Sequence, residues 1–89
     1  MTDTQKCKLL YFAWVREKMG RASEDIELPA SIVTVRDLLS WLKSKGGEYS
    51  NAFENECVIR VALDQAHASF ETKIGQAREI ALFPPVTGG

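Results

Sequence analysis

Thr34-Val35-Arg36-Asp37-Leu38-Leu39-Ser40-Trp41-Leu42-Lys43-Ser44-Lys45-Gly46-Gly47 is the stretch on which the reading of this 89-residue chain turns. Val35, Leu38, Leu39 and Leu42 recur at i, i+3, i+4 and i+7, which makes one apolar stripe on an amphipathic helix. Thr34 is placed to cap it, and Asp37 three residues on completes a capping-box-like pair. Val33 and Leu38 occupy the positions of a hydrophobic staple. Lys43 and Lys45 suit the negative end of the helix dipole, and Gly46-Gly47 stops the helix. A helix that is apolar on one side only must bury that side against another layer, and the flanking sequence reads as the strands of such a layer.

Upstream, Cys7 to Phe12 is a β-compatible run, apolar on both faces at Leu9-Leu10-Tyr11-Phe12, which predicts a central strand. Phe12, Val15 and Met19 then recur at helical spacing with Gly20 as a stop, predicting a short helix. Asp25-Ile26-Glu27-Leu28 alternates and ends at Pro29, the pattern of a half-exposed strand. Downstream, Tyr49, Ala52 and Phe53 add one further turn of helix. Val58 to Leu63 is a second two-sided apolar run, interrupted only by Arg60. Asp64-Gln65 reads as a turn, Ala68-Ser69-Phe70 as a short strand and Glu79 to Phe83 as the last strand. This order predicts an α+β roll: a five-stranded mixed sheet with one principal helix packed across a face. No internal repeat or linker divides the chain, so residues 1–89 read as one domain with 84–89 as a flexible C-terminal tail.

Composition narrows the function. Eleven basic and twelve acidic residues give a formal charge of -1. Without a basic stripe to hold phosphates, nucleic acid is not the expected partner. The apolar runs fall far short of the ~20 residues that span a bilayer. Met1-Thr2-Asp3-Thr4-Gln5 lacks the regions of a signal peptide, so the expected location is cytoplasmic. Cys7 and Cys57 both fall in strand-like segments, fit neither a disulfide framework nor a CxxC motif, and read as two buried small hydrophobes. The single histidine, His67, stands on a short strand with no second metal ligand near it and reads as a surface or interface residue. Asp3, Glu17, Glu24, Asp25, Glu27, Glu54 and Glu56 are scattered on polar faces and form no acid/base pair. Trp14 and Trp41 sit beside apolar helical stripes and read as helix–sheet packing. Nothing here suggests a metal site or a catalyst able to act alone.

The end of the chain is different in kind. Phe83-Pro84-Pro85-Val86-Thr87-Gly88-Gly89 finishes on the most slender backbone available, with no Cβ to hinder entry into a narrow channel. Pro84 and Pro85 have fixed φ and no N–H, so the segment leaves the last strand as an extended arm, with flexibility kept for the final two glycines. The expected reacting group is therefore the Gly89 carboxylate. It is inert until activated. Adenylation by an ATP-using partner would make a mixed anhydride, from which a sulfur donor gives a thiocarboxylate or a lysine amine gives an isopeptide bond.

Leu10-Tyr11-Phe12-Ala13-Trp14-Val15-Arg16-Glu17 near the start and Ala81-Leu82-Phe83-Pro84-Pro85-Val86-Thr87-Gly88-Gly89 at the end resemble the small, sulfur-carrying subunits of molybdopterin synthase. The likeness spans nearly the whole chain in order and length. It implies a ubiquitin-like β-grasp fold in which the first and last strands pair in parallel at the centre, with the third strand beyond the last. Cys7 and Cys57 would then lie two strand spacings apart, ~10 Å, too far for a disulfide.

The resemblance also implies that Gly89 is adenylated by an E1-like adenylyltransferase using ATP, receives sulfur from a donor and passes it to cyclic pyranopterin monophosphate. That substrate would be held by a large catalytic subunit, two small and two large subunits forming the enzyme, with no cofactor bound permanently to the carrier. Gly88 is the second slender residue. Phe12, Arg16 and Phe83 match, by position, residues the family presents to its partners, and His67 with the arm Pro84, Pro85, Val86 and Thr87 completes the candidate partner surface. Two departures stand out: Gln76-Ala77-Arg78 replaces the family's usual Asp-Gly-Asp turn, and His67 replaces a commonly apolar residue. Ala77 is costly at positive φ, so a different turn is expected there. The alternatives are a related carrier or modifier, serving thiamin, tRNA thiolation or protein conjugation, and a non-covalent ubiquitin-like binding module.

Overall fold

The computed structural model describes residues 4–85, the side chain of Glu56 apart. Its elements run β1 (Thr4–Tyr11), α1 (Ala13–Met19), β2 (Ser23–Pro29), α2 (Val35–Ser44), α3 (Gly47–Ala52), a 3₁₀ turn at Glu56–Val58, β3 (Arg60–Leu63), β4 (Ala66–Ala68) and β5 (Glu79–Phe83). The sheet order is β2-β1-β5-β3-β4. β1 and β5 pair in parallel from Lys8↔Glu79 to Tyr11↔Leu82, and β3 adds antiparallel to β5. The mixed five-stranded sheet and its central parallel pair are those expected.

One face of the sheet is buried and the other is open. Leu9 and Ile80 face each other across the β1–β5 pair, as do Tyr11 and Leu82, and Val61 continues the second row. These side chains are almost fully buried, together with Val35, Leu38, Leu39 and Leu42 of α2. The i, i+3, i+4, i+7 stripe thus seats wholly in the core. Val15 and Met19 of α1, and Ala52 and Phe53 at the end of α3, close its margins. Trp14 and Trp41 pack at the edge, half-buried, with Lys18 and Lys45 over their rings. No helix among the described residues is long and apolar enough to cross a membrane.

The cap of α2 forms as its sequence requires. Thr34 Oγ1 accepts from the Asp37 N–H at 3.2 Å, and the Asp37 carboxylate accepts from the N–H groups of Thr34 and Val33. The backbone bonds to Thr34 and then Val33 hold the Asp37 carboxyl below its usual range. Val33 is 46% exposed, so the expected staple does not bury it.

Several boundaries differ from the sequence reading. β1 begins at Thr4 and buries Cys7, Leu9 and Tyr11 on one face, with Leu10 half-buried on the other. It is a one-faced strand, because helices cover only one side of the sheet. Phe12 does not join the stripe of Val15 and Met19; it is the extended N-cap of α1 and lies exposed. Cys57 lies in the 3₁₀ turn and is exposed, whereas Cys7 is buried; only one of the two is a core hydrophobe, and both thiols are free. The apolar run from Val58 enters the sheet only at Arg60, since the 3₁₀ turn takes Val58 and Ile59 links the turn to the strand. The strand expected at Ala68-Ser69-Phe70 is instead Ala66–Ala68, because the turn is tight. Asp64 and Gln65 both take positive φ, 48° and 75°, the signature of a two-residue type I′ hairpin made here without glycine. The Asp64 carboxylate supports it by accepting from the N–H groups of Arg78 and Glu79, both at 3.0 Å.

The turn before β5 is of a different type, as expected. Positive φ falls on Gly75 (59°), and the Ala77 N–H closes the turn on the Ile74 carbonyl at 3.2 Å. Ala77 is spared the strain and its carbonyl accepts from Gln5 Nε2 and the Cys7 thiol.

Glu24, read above as one of several scattered acids, is the hub of a polar network. Its carboxylate accepts from the hydroxyl of Tyr11 at 2.5 Å and that of Tyr49 at 2.8 Å, and pairs with Arg21, which also bonds Glu48. This ties β1 to the start of β2 and to α3. Burial, then the bond to the Glu24 carboxylate, pushes the Tyr11 hydroxyl far above its ordinary range, and Tyr49 shifts the same way. Above about pH 10 the unfolded chain loses tyrosine protons that the folded chain keeps, so stability falls as pH rises. Tyr11→Phe is expected to cost ~1–2 kcal/mol at neutral pH and to flatten part of that alkaline decline. Urea unfolding from pH 7 to 11 measures both, and an unchanged alkaline slope would show that Tyr11 is not its source.

Candidate functional site

β5 carries the candidate site because its side chains alternate. Ile80 and Leu82 enter the core, and Glu79, Ala81 and Phe83 take the open face. Phe83 lies opposite Arg60 of β3, and its ring meets the edge of His67 with centroids 5.6 Å apart at 88°. His67 faces Ala62 across the β3–β4 hairpin, and Ala62 faces Ala81. Leu10 of β1 faces Ala81 from the other side. Two alanines therefore form a low floor between Leu10, His67 and Phe83.

Phe12 extends this floor. Its N–H donates to the Leu82 carbonyl at 3.2 Å, carrying the parallel ladder one residue past β1, and its side chain is 48% exposed. Ala13 follows at φ 53°, a left-handed conformation that costs a Cβ-bearing residue roughly 1–2 kcal/mol. The chain thus turns abruptly into α1 while Phe12 stays extended beside the sheet. Arg16, bonded through its N–H to the Phe12 carbonyl, is exposed at the rim. No ion pair joins it to another described residue.

The structure sets Phe83 against His67 and, at the end of the β1–β5 pair, near Phe12, with half-buried Pro84 and Pro85 following Phe83. Arg16 is exposed one helical turn past Phe12, and its side chain makes no hydrogen bond or ion pair with the other three. Val86, Thr87, Gly88 and Gly89 lie outside the described residues. Sequence reasoning missed Leu10, Ala62, Ala81 and Arg60. Their signal was the period-2 alternation of three strands, legible only once the β1–β5–β3 register is known. Among the described residues the patch has an apolar centre, with Arg60 exposed beside Phe83.

The model of the ThiS family matches residues 9–89. The chain belongs to the ThiS family. It is 34% identical over 82 residues to the molybdopterin synthase sulfur carrier subunit of Escherichia coli (strain K12), covering 92% of this chain and 98% of that one. To the protein of the same name from Dictyostelium discoideum it is 37% identical over 84 residues, covering 92% and 94%. Among solved structures, a Pyrococcus furiosus protein provisionally assigned as molybdopterin converting factor, subunit 1, matches with a TM-score of 0.72 at 26% identity, covering 92% of this chain and 99% of that one. The roll is the ubiquitin-like β-grasp.

Phe83 is half-buried and outside the core cluster, whereas its neighbour Leu82 is fully buried. Phe83→Ala is expected to cost ~1 kcal/mol of stability and Leu82→Ala ~2–5 kcal/mol. Thermal melts of the two variants side by side check this; equal losses would place Phe83 in the core.

Proposed function

We propose that this chain is the sulfur carrier subunit of a molybdopterin synthase and that the Gly89 carboxylate is its reacting group. The observation that carries the reading is that exposed Phe12 and half-exposed Phe83 stand at the end of β5 from which the chain runs on to Gly88-Gly89, in a chain that the ThiS family model matches through residue 89. The names of its relatives point the same way.

In this reading an E1-like adenylyltransferase binds the open face. The carboxylate oxygen of Gly89 attacks the α-phosphorus of ATP, pyrophosphate leaves, and a sulfur donor displaces AMP to give a thiocarboxylate. The large subunit then receives the same face, the arm enters its active site, and sulfur passes to cyclic pyranopterin monophosphate. Two small and two large subunits make up the enzyme. Each structural feature has a task. Phe12, Arg16, His67 and Phe83 give the partner a docking surface; Pro84 and Pro85 direct the arm; Gly88 and Gly89 pass where a side chain would not. ATP is the activating enzyme's substrate, and the carrier keeps no cofactor.

Removing Gly89 is expected to abolish sulfur transfer and leave the fold unchanged, because the reacting carbon is six residues beyond β5. Intact-mass analysis after incubation with the activating enzyme, ATP and a sulfur source would read the loss of the thiocarboxylate, and circular dichroism the intact fold. Sulfur transfer by the shortened chain would end the sulfur-carrier reading. Gly88→Val is expected to slow transfer at least tenfold with little change in melting temperature, since a β-branched side chain widens and stiffens the arm. A melting temperature falling as steeply as activity would reveal a structural glycine instead.

A further inference from the structure

The open face is electrically divided. In one half, opposite charges face each other across neighbouring strands: Lys6 opposite Glu27, Lys8 opposite Asp25 and Lys8 opposite Glu79. Such cross-strand pairs compensate locally. In the other half, around Leu10, Ala62, Ala81, Phe83 and Phe12, no strand pairing sets opposite charges face to face: Arg60 is exposed on β3, Arg16 is exposed on α1 one helical turn past Phe12, and Glu71, which lines the same hollow as Arg60 and His67, is paired with Arg36. The ion pairs among the described residues involve Arg21 and Arg36, and neither Arg16 nor Arg60.

Arg60 is the better placed of the pair. It stands directly across from Phe83, the residue from which the arm departs, and its side chain is exposed on the open face. Nη1 donates to the Cys57 carbonyl at 3.2 Å. This bond orients the side chain against the 3₁₀ turn and, among the described residues, leaves most of its five donors unused. An oriented, part-used guanidinium at the margin of an apolar patch matches the fork geometry of a carboxylate. Arginine beside aromatic side chains is also the composition that dominates the energetics of protein interfaces.

Reach separates docking from chemistry. Gly89 follows Phe83 by six residues, a span of about 20 Å when drawn out. An arginine opposite Phe83, six residues before Gly89, serves the partner's surface and not the reacting carbon.

We infer that Arg60 is a specificity-determining contact of the docking face, whose guanidinium takes a carboxylate on the sulfur-accepting large subunit beside an apolar surface that covers Phe83 and the Ala62–Ala81 floor. The identity of that partner rests on the sulfur-carrier reading; the complementarity asked of it, acidic beside apolar, rests on the open face itself.

Arg60→Gln and Arg60→Lys, with the full-length chain and the large subunit from the same source, test the inference by calorimetry and by association kinetics at about 50 and 300 mM salt. Arg60→Gln is expected to weaken binding about tenfold at low salt, to slow association and to flatten the salt dependence, with the melting temperature unchanged. Arg60→Lys keeps the charge and loses the fork, so it should retain the salt dependence and recover only part of the affinity. Affinity and salt dependence of Arg60→Gln within twofold of the unaltered chain would overturn the inference and leave the sulfur-carrier reading standing. Failure of the unaltered chain to bind the large subunit at all would overturn both.

Discussion

Everything in this fold hangs on the parallel pairing of β1 with β5. Lys8 and Glu79 are neighbours in space though roughly seventy positions apart in sequence. Closing so long a loop is entropically costly, and parallel ladders are slightly weaker per residue than antiparallel ones. The core face repays that cost, where Leu9 against Ile80 and Tyr11 against Leu82 lie under the α2 stripe. The pairing also decides function. Because both strands run the same way, Phe12 and Phe83 leave the sheet at the same end, and an aromatic pair with the arm beside it follows from topology alone.

A second consequence concerns the two sides of the sheet. The helices cover one face, so strand residues divide by parity between core and solvent. β5 gives Ile80 and Leu82 to stability, and Ala81 and Phe83 to the candidate docking surface. The two roles are separable by single substitutions because neighbouring residues face opposite ways. The polar network around Glu24 lies at the other margin, where it clamps α3 and β2 to β1 without touching the open face residues Phe83 and His67.

Much of the fold was legible in the sequence because local and global signals agree. The α2 stripe, its capping box, Gly20 and the β5 run each read correctly, since their periodicity or stop residue acts over a few positions. The failures have physical causes. Val58 and Ile59 look like strand residues, yet Val58 closes the 3₁₀ turn and Ile59, buried, links that turn to β3. The type I′ hairpin at Asp64-Gln65 lacks the usual glycine and shifted β4 by two residues, so Phe70 was misplaced. Phe12 carried helical spacing yet caps the helix from outside. For the site, Phe12, Arg16, His67 and Phe83 were nameable from resemblance, whereas Arg60 looked like an interruption in an apolar run. Its position opposite Phe83 is a property of register, which a single sequence does not display.

The parallel pair has a practical bearing on how the molecule can be handled. β1 runs from Thr4 at the far end of the sheet toward Phe12 beside the arm, a length of about 23 Å along the strand. A fluorophore, affinity handle or surface tether joined at Thr4 itself would therefore stand at the opposite end of β1 from Phe12. Immobilised through that end, the chain leaves Phe12, Phe83 and the open face between them free for a partner in solution.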